Sequence, residues 1–178
     1  MKKVILVLLI IFSFFFFTGC ESNKKEDTSK DKGAPVNLKE TTGNVVKATL
    51  DNKENIIVNK EDITDKVTYI SYEYEGVTIG LLAVRDSKDN VKVVINTCQS
   101  CGGSPYAYFV QVEDKIECQN CGSRFAIDDL GNLTEDGCNP IAIEELNEND
   151  DNIVIGTNQL KRLKDKFENW KGPKTQSN

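Results

Sequence analysis

Two short cysteine motifs carry the only chemistry that the residue types and spacing of this 178-residue chain make specific. They are Cys98-Gln99-Ser100-Cys101-Gly102 and Cys118-Gln119-Asn120-Cys121-Gly122, with sixteen residues between the pairs. Each C-x-x-C-G predicts a tight knuckle that points two sulfurs at one centre, with a positive φ expected at the glycine that follows the second cysteine. Two knuckles brought together offer four converging sulfurs. That set suits tetrahedral zinc, a single iron or an iron–sulfur cluster. One pair would say little, whereas two at zinc-ribbon spacing form a specific signal. The competing readings are free thiols and two local disulfides. Cys138, between Gly137 and Asn139-Pro140, is read as a fifth ligand, as a resolving thiol that bridges to a knuckle cysteine, or as a small packed residue.

Composition removes most other chemistries. The chain contains no histidine, so Cys–His and Ser–His–Asp nucleophile arrangements are excluded. The carboxylates show no spacing of a metal cage or a glycosidase pair, and Glu148-Asn149-Asp150-Asp151-Asn152 reads as a solvated acidic turn. These features describe a metal-binding or electron-transfer protein rather than an enzyme. The formal net charge is −6, which argues against nucleic acid as a partner and against a polybasic grip on anionic lipid.

The elements that must position the cysteines read mostly as strands. Val67 to Tyr74 is rich in β-branched and aromatic residues, and Glu75-Gly76 marks a hairpin into Val77 to Arg85. After a polar turn at 86–90, Val91 to Ile95 delivers the first knuckle. Tyr106 to Val112 and Lys115 to Glu117 form a second hairpin around Glu113-Asp114 and deliver the second knuckle. Arg124 to Ile127 and Ile141 to Ile143 frame the loop that holds Cys138, and Ile153 to Ile155 follows. Val45 to Leu50 and Ile56 to Val58 read as an opening strand pair. Leu160, Leu163, Phe167 and Trp170 recur at helical spacing and predict one amphipathic helix over 158–170, packed on the sheet. Tyr106, Tyr108 and Phe125 flank the knuckles, more simply as core than as an electron path. Arg124 either offsets the charge of a four-thiolate site or makes an exposed salt bridge.

Four segments follow. Residues 1–19 read as a lipoprotein signal peptide: Lys2 and Lys3 precede an apolar run from Val4 to Phe17, which Thr18-Gly19-Cys20 ends. That run is shorter than the roughly 20 residues of a membrane span. Residues 20–44 then form a lipidated N-terminus at Cys20 and a polar tether that has almost nothing to bury. Residues 45–171 form one metal-binding domain, and 172–178 a disordered tail. Lys2-Lys3 is not a twin-arginine signal, so export is expected by the general secretory route, in the unfolded state. Beyond Cys20 five cysteines remain, an odd number that suits ligands better than disulfide staples.

The stretch Cys118-Gln119-Asn120-Cys121-Gly122-Ser123-Arg124-Phe125 is similar to the second Rieske box, although the lack of histidine rules out a true Rieske centre. A closer resemblance rests on Asn96-Thr97-Cys98-Gln99-Ser100-Cys101, Tyr106 with Gln111, Glu117-Cys118-Gln119-Asn120-Cys121-Gly122, Phe125-Ala126-Ile127 and Gly137-Cys138-Asn139-Pro140-Ile141. Together with the Phe167-Glu168-Asn169-Trp170 end, these look like the bacterial FtrD-like family, from roughly Val45 to Trp170. The resemblance implies a membrane-associated iron–sulfur protein linked to ferrous-iron transport. It also implies electron transfer or metal handling beside an iron permease or another redox partner. The resulting expectation is a mostly β, Rieske-like or zinc-ribbon-like domain with one C-terminal helix. The protein would be lipid-anchored at the extracytoplasmic face and carry an iron–sulfur cluster. The alternatives are zinc or mononuclear iron, in a zinc-stabilised accessory module or a thiol–disulfide protein.

Overall fold

The computed structural model describes residues 43–132 and 137–173. The signal segment, Cys20 and most of the predicted tether lie outside the described residues. All described residues belong to one compact unit.

The core is organised by a sheet whose central strand is buried on both faces. Strands β1 (Asn44–Lys47), β4 (Thr68–Tyr74), β5 (Val77–Arg85), β6 (Val91–Cys98) and β10 (Pro140–Ala142) lie side by side in the order β1-β4-β5-β6-β10. β1 runs parallel to β4, and the other neighbours are antiparallel. The run Ile79-Gly80-Leu81-Leu82-Ala83-Val84 in β5 is buried throughout, as expected of a strand covered on both faces. Alternation along the strand then sends Ile79, Leu81 and Ala83 into one cluster and Leu82 and Val84 into another.

The first cluster packs beneath a second sheet of β2 (Thr49–Leu50), β3 (Ile56–Asn59), β11 (Leu146–Glu148) and β12 (Asn152–Ile155), in the order β11-β12-β3-β2. The second cluster packs against a three-stranded meander of β7 (Phe109–Val112), β8 (Lys115–Cys118) and β9 (Arg124–Ala126). Both predicted hairpins form around two-residue turns. Glu75 and Gly76 both take positive φ (47° and 76°), the backbone that matches strand twist in a tight hairpin, and Glu113 takes φ 59° in the other.

Three expectations need correction. The run from Val45 to Leu50 is not one strand of an opening pair. Asn44–Lys47 joins β4 in the central sheet, whereas Thr49–Leu50 crosses to β3 in the second sheet. The bend falls at Ala48, whose N–H is taken by the Ser71 carbonyl. The C-terminal helix is also shorter than its periodicity predicts. Helix α1 covers Asn158–Arg162 and tightens into a 3-10 turn over Lys164–Phe167, and the Leu163 N–H is shared between the Gln159 and Leu160 carbonyls. Finally, the folded part reaches Pro173 rather than ending at 171, because Gly172 and Pro173 are buried, with Gly172 against the Trp170 ring.

Trp170 anchors this end, as predicted. Its ring covers Gly80 on the central strand, where any Cβ would stand inside the ring's contact surface. Its indole N–H donates to the Asn96 carbonyl at 3.1 Å.

Candidate metal centre

The two knuckles are built at the ends of paired strands. Cys98 closes β6 and Cys118 closes β8, both fully buried and both packed in the second core cluster with Phe109 and Ile116. The chain then turns back within three residues, so Cys101 is half-buried and Cys121 exposed.

The second knuckle follows the expected form. Gly122 takes φ 74° and gives its N–H to the Cys118 carbonyl at 2.8 Å. The first knuckle does not. There the positive φ falls one residue later, at Gly103 (φ 98°), whose N–H is taken by the Lys166 carbonyl. Gly102 is needed instead for close approach: a Cβ there would meet the Cys98 carbonyl at 2.9 Å and the Lys166 Nζ at 3.1 Å. The knuckles are stitched together where Ser104 Oγ donates to Asn120 Oδ1 at 2.6 Å.

This arrangement brings the sulfurs of Cys98, Cys101, Cys118 and Cys121 within 4.8 Å of one another, with 3.8 Å between Cys101 and Cys118. A tetrahedral ion with metal–sulfur bonds of about 2.3 Å requires sulfurs about 3.8 Å apart. The four thiols therefore fit one zinc or one iron. A cluster of several irons spreads its thiolates over different metal atoms and so sets them farther apart. Among the described residues no other group of cysteines, histidines or carboxylates is gathered in this way.

As free thiols the sulfurs divide their protons unequally. Hydrogen bonds from the Cys101 and Cys118 thiols hold Cys98 far down, to about 2. For Cys101 the bond to Cys118 acts downward, but its bond to Cys98, burial and nearby thiolate charge push it up to about 12. Bonds to Cys101 and Cys98, with burial added, raise Cys118 as well. Burial opposes charge on Cys121, yet its hydrogen bond to Ser123 Oγ at 3.3 Å helps hold it below the ordinary thiol value. A metal ion must displace the protons on Cys101 and Cys118, so acid competes with it for the site.

Cys138 stands outside the set of four, partly buried against the second core cluster. Burial, then its hydrogen bond with Cys121, push its thiol up to about 11. Its loop is fastened to the first knuckle: the Gln99 N–H donates to the Asn139 carbonyl at 2.9 Å, and the Ser100 hydroxyl donates to the Gly137 carbonyl.

Other predicted neighbours resolve toward structure. Arg124 Nε pairs with the buried Glu117 carboxylate at 2.6 Å across β8 and β9, which makes it a salt-bridging residue. Tyr108 packs edge-on to Trp170 at 6.1 Å and Phe125 edge-on to Phe109 at 6.0 Å, so both are core. Sequence reasoning missed Lys166, whose ammonium lies over the first knuckle through a contact 64 residues along the chain from Gly102. It also missed Ser104 and Ser123, ordinary turn residues by type. On the same face of β6 as Cys98, Asn96 keeps its amide Nδ2 buried with no partner among the described residues. That leaves a buried donor two residues before Cys98.

Fold and site together define a metal-binding protein, a β domain whose zinc-ribbon-like knuckle layer gathers four cysteines. The family described as "Membrane iron-sulfur containing protein FtrD-like" matches residues 63–167, and the chain belongs to that family. Neither the curated proteins nor the solved structures include a significant match to the chain. No helix among the described residues is long and apolar enough to cross a membrane.

Proposed function

We propose that this protein is a lipid-anchored electron carrier at the extracytoplasmic face of a bacterial cell membrane, with one iron held by Cys98, Cys101, Cys118 and Cys121. The observation that carries the proposal is that all four sulfurs lie within 4.8 Å of one another, with Cys101 and Cys118 at the 3.8 Å expected around a single tetrahedral ion. The family description supports iron as that ion. A one-iron tetrathiolate is the smallest iron–sulfur centre, and it can be filled after export without an assembled cluster crossing the membrane. When bound, the iron supplies reversible one-electron chemistry, its potential set by charge, hydrogen bonds and exposure around the sulfurs.

The chain's own residues divide the remaining work. Cys98 and Cys118 close the buried side against water, and the exposed Cys121 offers the edge at which a redox partner or an iron permease would exchange electrons. Reduction and reoxidation of the purified chain should bleach and restore a thiolate-to-iron absorption band. The sulfur spacing suits zinc equally well. A colourless chain with one tightly held zinc would replace the redox reading with that of a zinc-stabilised accessory module.

Lys166 should tune this site. Its ammonium, over Gly102, favours the more negative reduced centre, so Lys166→Gln should shift the reduction potential to more negative values while leaving metal content unchanged. Protein-film voltammetry of wild type and variant checks the sign; an unmoved potential would remove Lys166 from the site.

Anchoring makes a separate prediction. Cys20→Ala should abolish fatty-acid labelling and membrane retention, yet leave metal content unchanged, because the residue lies well before the metal-binding domain. A wild-type chain that takes up no labelled fatty acid would end the lipoprotein proposal.

A further inference from the structure

The two knuckles are held in different ways. The second closes on itself: the Cys118 N–H goes to the Ser123 carbonyl at 2.9 Å, and the Gly122 N–H returns to the Cys118 carbonyl at 2.8 Å. The first is held mostly from outside. Its Cys98 N–H goes to the Ala107 carbonyl, its Gln99 N–H to Asn139 and its Gly103 N–H to Lys166, while the Ser104 N–H stays local, on the Cys101 carbonyl. Asn96 Nδ2, Thr97 Oγ1 and Gln99 Oε1, which flank Cys98, are buried without a hydrogen-bond partner among the described residues. Such groups cost stability where they lie, so the first knuckle is the less firmly fixed of the two.

One of the outside holds is the C-terminal segment from Lys164 to Lys171, which grips the chain around the first knuckle through three hydrogen bonds. The Lys166 carbonyl accepts from the Gly103 N–H at 3.1 Å, and the Lys171 N–H donates to the Pro105 carbonyl at 2.8 Å. The Trp170 indole donates to the Asn96 carbonyl at 3.1 Å. The Lys166 side chain also lies against Gly102, 3.0 Å from where a Cβ would stand. None of these four contacts involves the second knuckle.

We propose that this segment is a metal-responsive strap: an ion bound by the four cysteines tightens it on the first knuckle, and loss of the ion loosens it there. The inference rests on the four-cysteine site but not on which metal fills it. An ion bound to both Cys98 and Cys101 fixes the turn between them. It thereby fixes the positions of Gly102, Gly103 and Pro105, which the strap contacts. Linkage makes the effect reciprocal: the factor by which the ion favours the docked strap is the factor by which the docked strap favours the ion. Phe167 and the Trp170 ring belong to the first core cluster and keep the strap attached to the sheet in both states.

Zinc keeps the test independent of iron chemistry. Hydrogen exchange of the full chain is read by mass spectrometry with and without one bound zinc, at the amides of Gly103 and Lys171. The Gly156 amide, bonded to the Glu145 carbonyl away from the knuckles, serves as reference. Zinc should slow exchange at Gly103 and Lys171 about tenfold and leave Gly156 unchanged. A change confined to the knuckle would not reach Lys171. Trp170→Phe, which removes the indole donor and keeps a ring, should bind zinc about threefold more weakly in competition with a chelator. Ile153→Val, a truncation in the core under the second sheet, should lower stability yet leave zinc affinity unchanged. Exchange at Lys171 that ignores zinc, a Trp170→Phe affinity equal to that of wild type, or an equal loss of affinity in Ile153→Val would each overturn the inference. A wild-type chain that takes up no zinc through the four thiols would instead overturn the metal site beneath it.

Discussion

Replacing Cys118 by serine is expected to abolish stoichiometric metal and to loosen the layer of β7, β8 and β9. Cys118 is fully buried, closes β8, and sits among Phe109, Ile116 and Cys98 in the second core cluster. Its sulfur is 3.8 Å from that of Cys101, so losing it removes one of the links between the knuckles as well as one ligand. Metal bound to a Cys₄ site is coupled to folding, by about 10 kcal/mol or more in small zinc domains that have little else to hold them. Here the central sheet and the second sheet keep their own core, so the loss should be several kcal/mol and confined largely to the knuckle layer. Cys121→Ser, at the exposed rim, should weaken metal binding with a smaller cost in stability. Metal content per chain and urea midpoints for both variants check this order. A Cys118→Ser protein with full metal and an unchanged midpoint would show that the four sulfurs share no ion.

Trp170→Ala should lower stability by about 3–5 kcal/mol, the range for truncating a buried tryptophan. The ring fills the space left by Gly80 and Gly172 and meets Phe167 edge-on at 5.4 Å and Tyr108 at 6.1 Å. No side chain at either glycine can collapse into the cavity. The Asn96 carbonyl would also lose its indole donor, two residues before Cys98. Trp170→Phe should fall between, retaining ring packing while losing the hydrogen bond. Gly80→Val should cost a comparable amount from the opposite side, by forcing the ring off the strand. Denaturant unfolding of the three variants checks the prediction; a shift below 1 kcal/mol for Trp170→Ala would show that the C-terminal segment is not part of the core.

What could be read before the structure followed the signals that are local. Runs of β-branched and aromatic residues and two-residue turns at Glu75-Gly76 and Glu113-Asp114 located both hairpins, since register there depends on adjacent residues. The doubled C-x-x-C-G gave the four gathered sulfurs for the same reason, as each knuckle is set within five residues. The parts that could not be read depend on distant partners. Nothing within Val45 to Leu50 says that the run divides between two sheets, because the choice is made by edges of β3 and β4 that form later in the chain. Strand β11, Leu146–Glu148, has exposed residues throughout and carries no periodic signal at all. The heptad-like spacing up to Trp170 suggested a longer helix, but Gly103 captures the Lys166 carbonyl and a 3-10 turn rotates Phe167 toward Trp170. Lys166 reaches the first knuckle by the same long-range docking, which is why its type and position gave no hint of the site.

The central claim, one iron held by four thiolates, is tested most directly by counting iron, zinc and acid-labile sulfide per chain in protein purified without oxygen. The account predicts one iron, no labile sulfide and a thiolate-to-iron absorption band that is lost in Cys118→Ser. Two or four irons with matching sulfide, or one zinc with no iron, would contradict it.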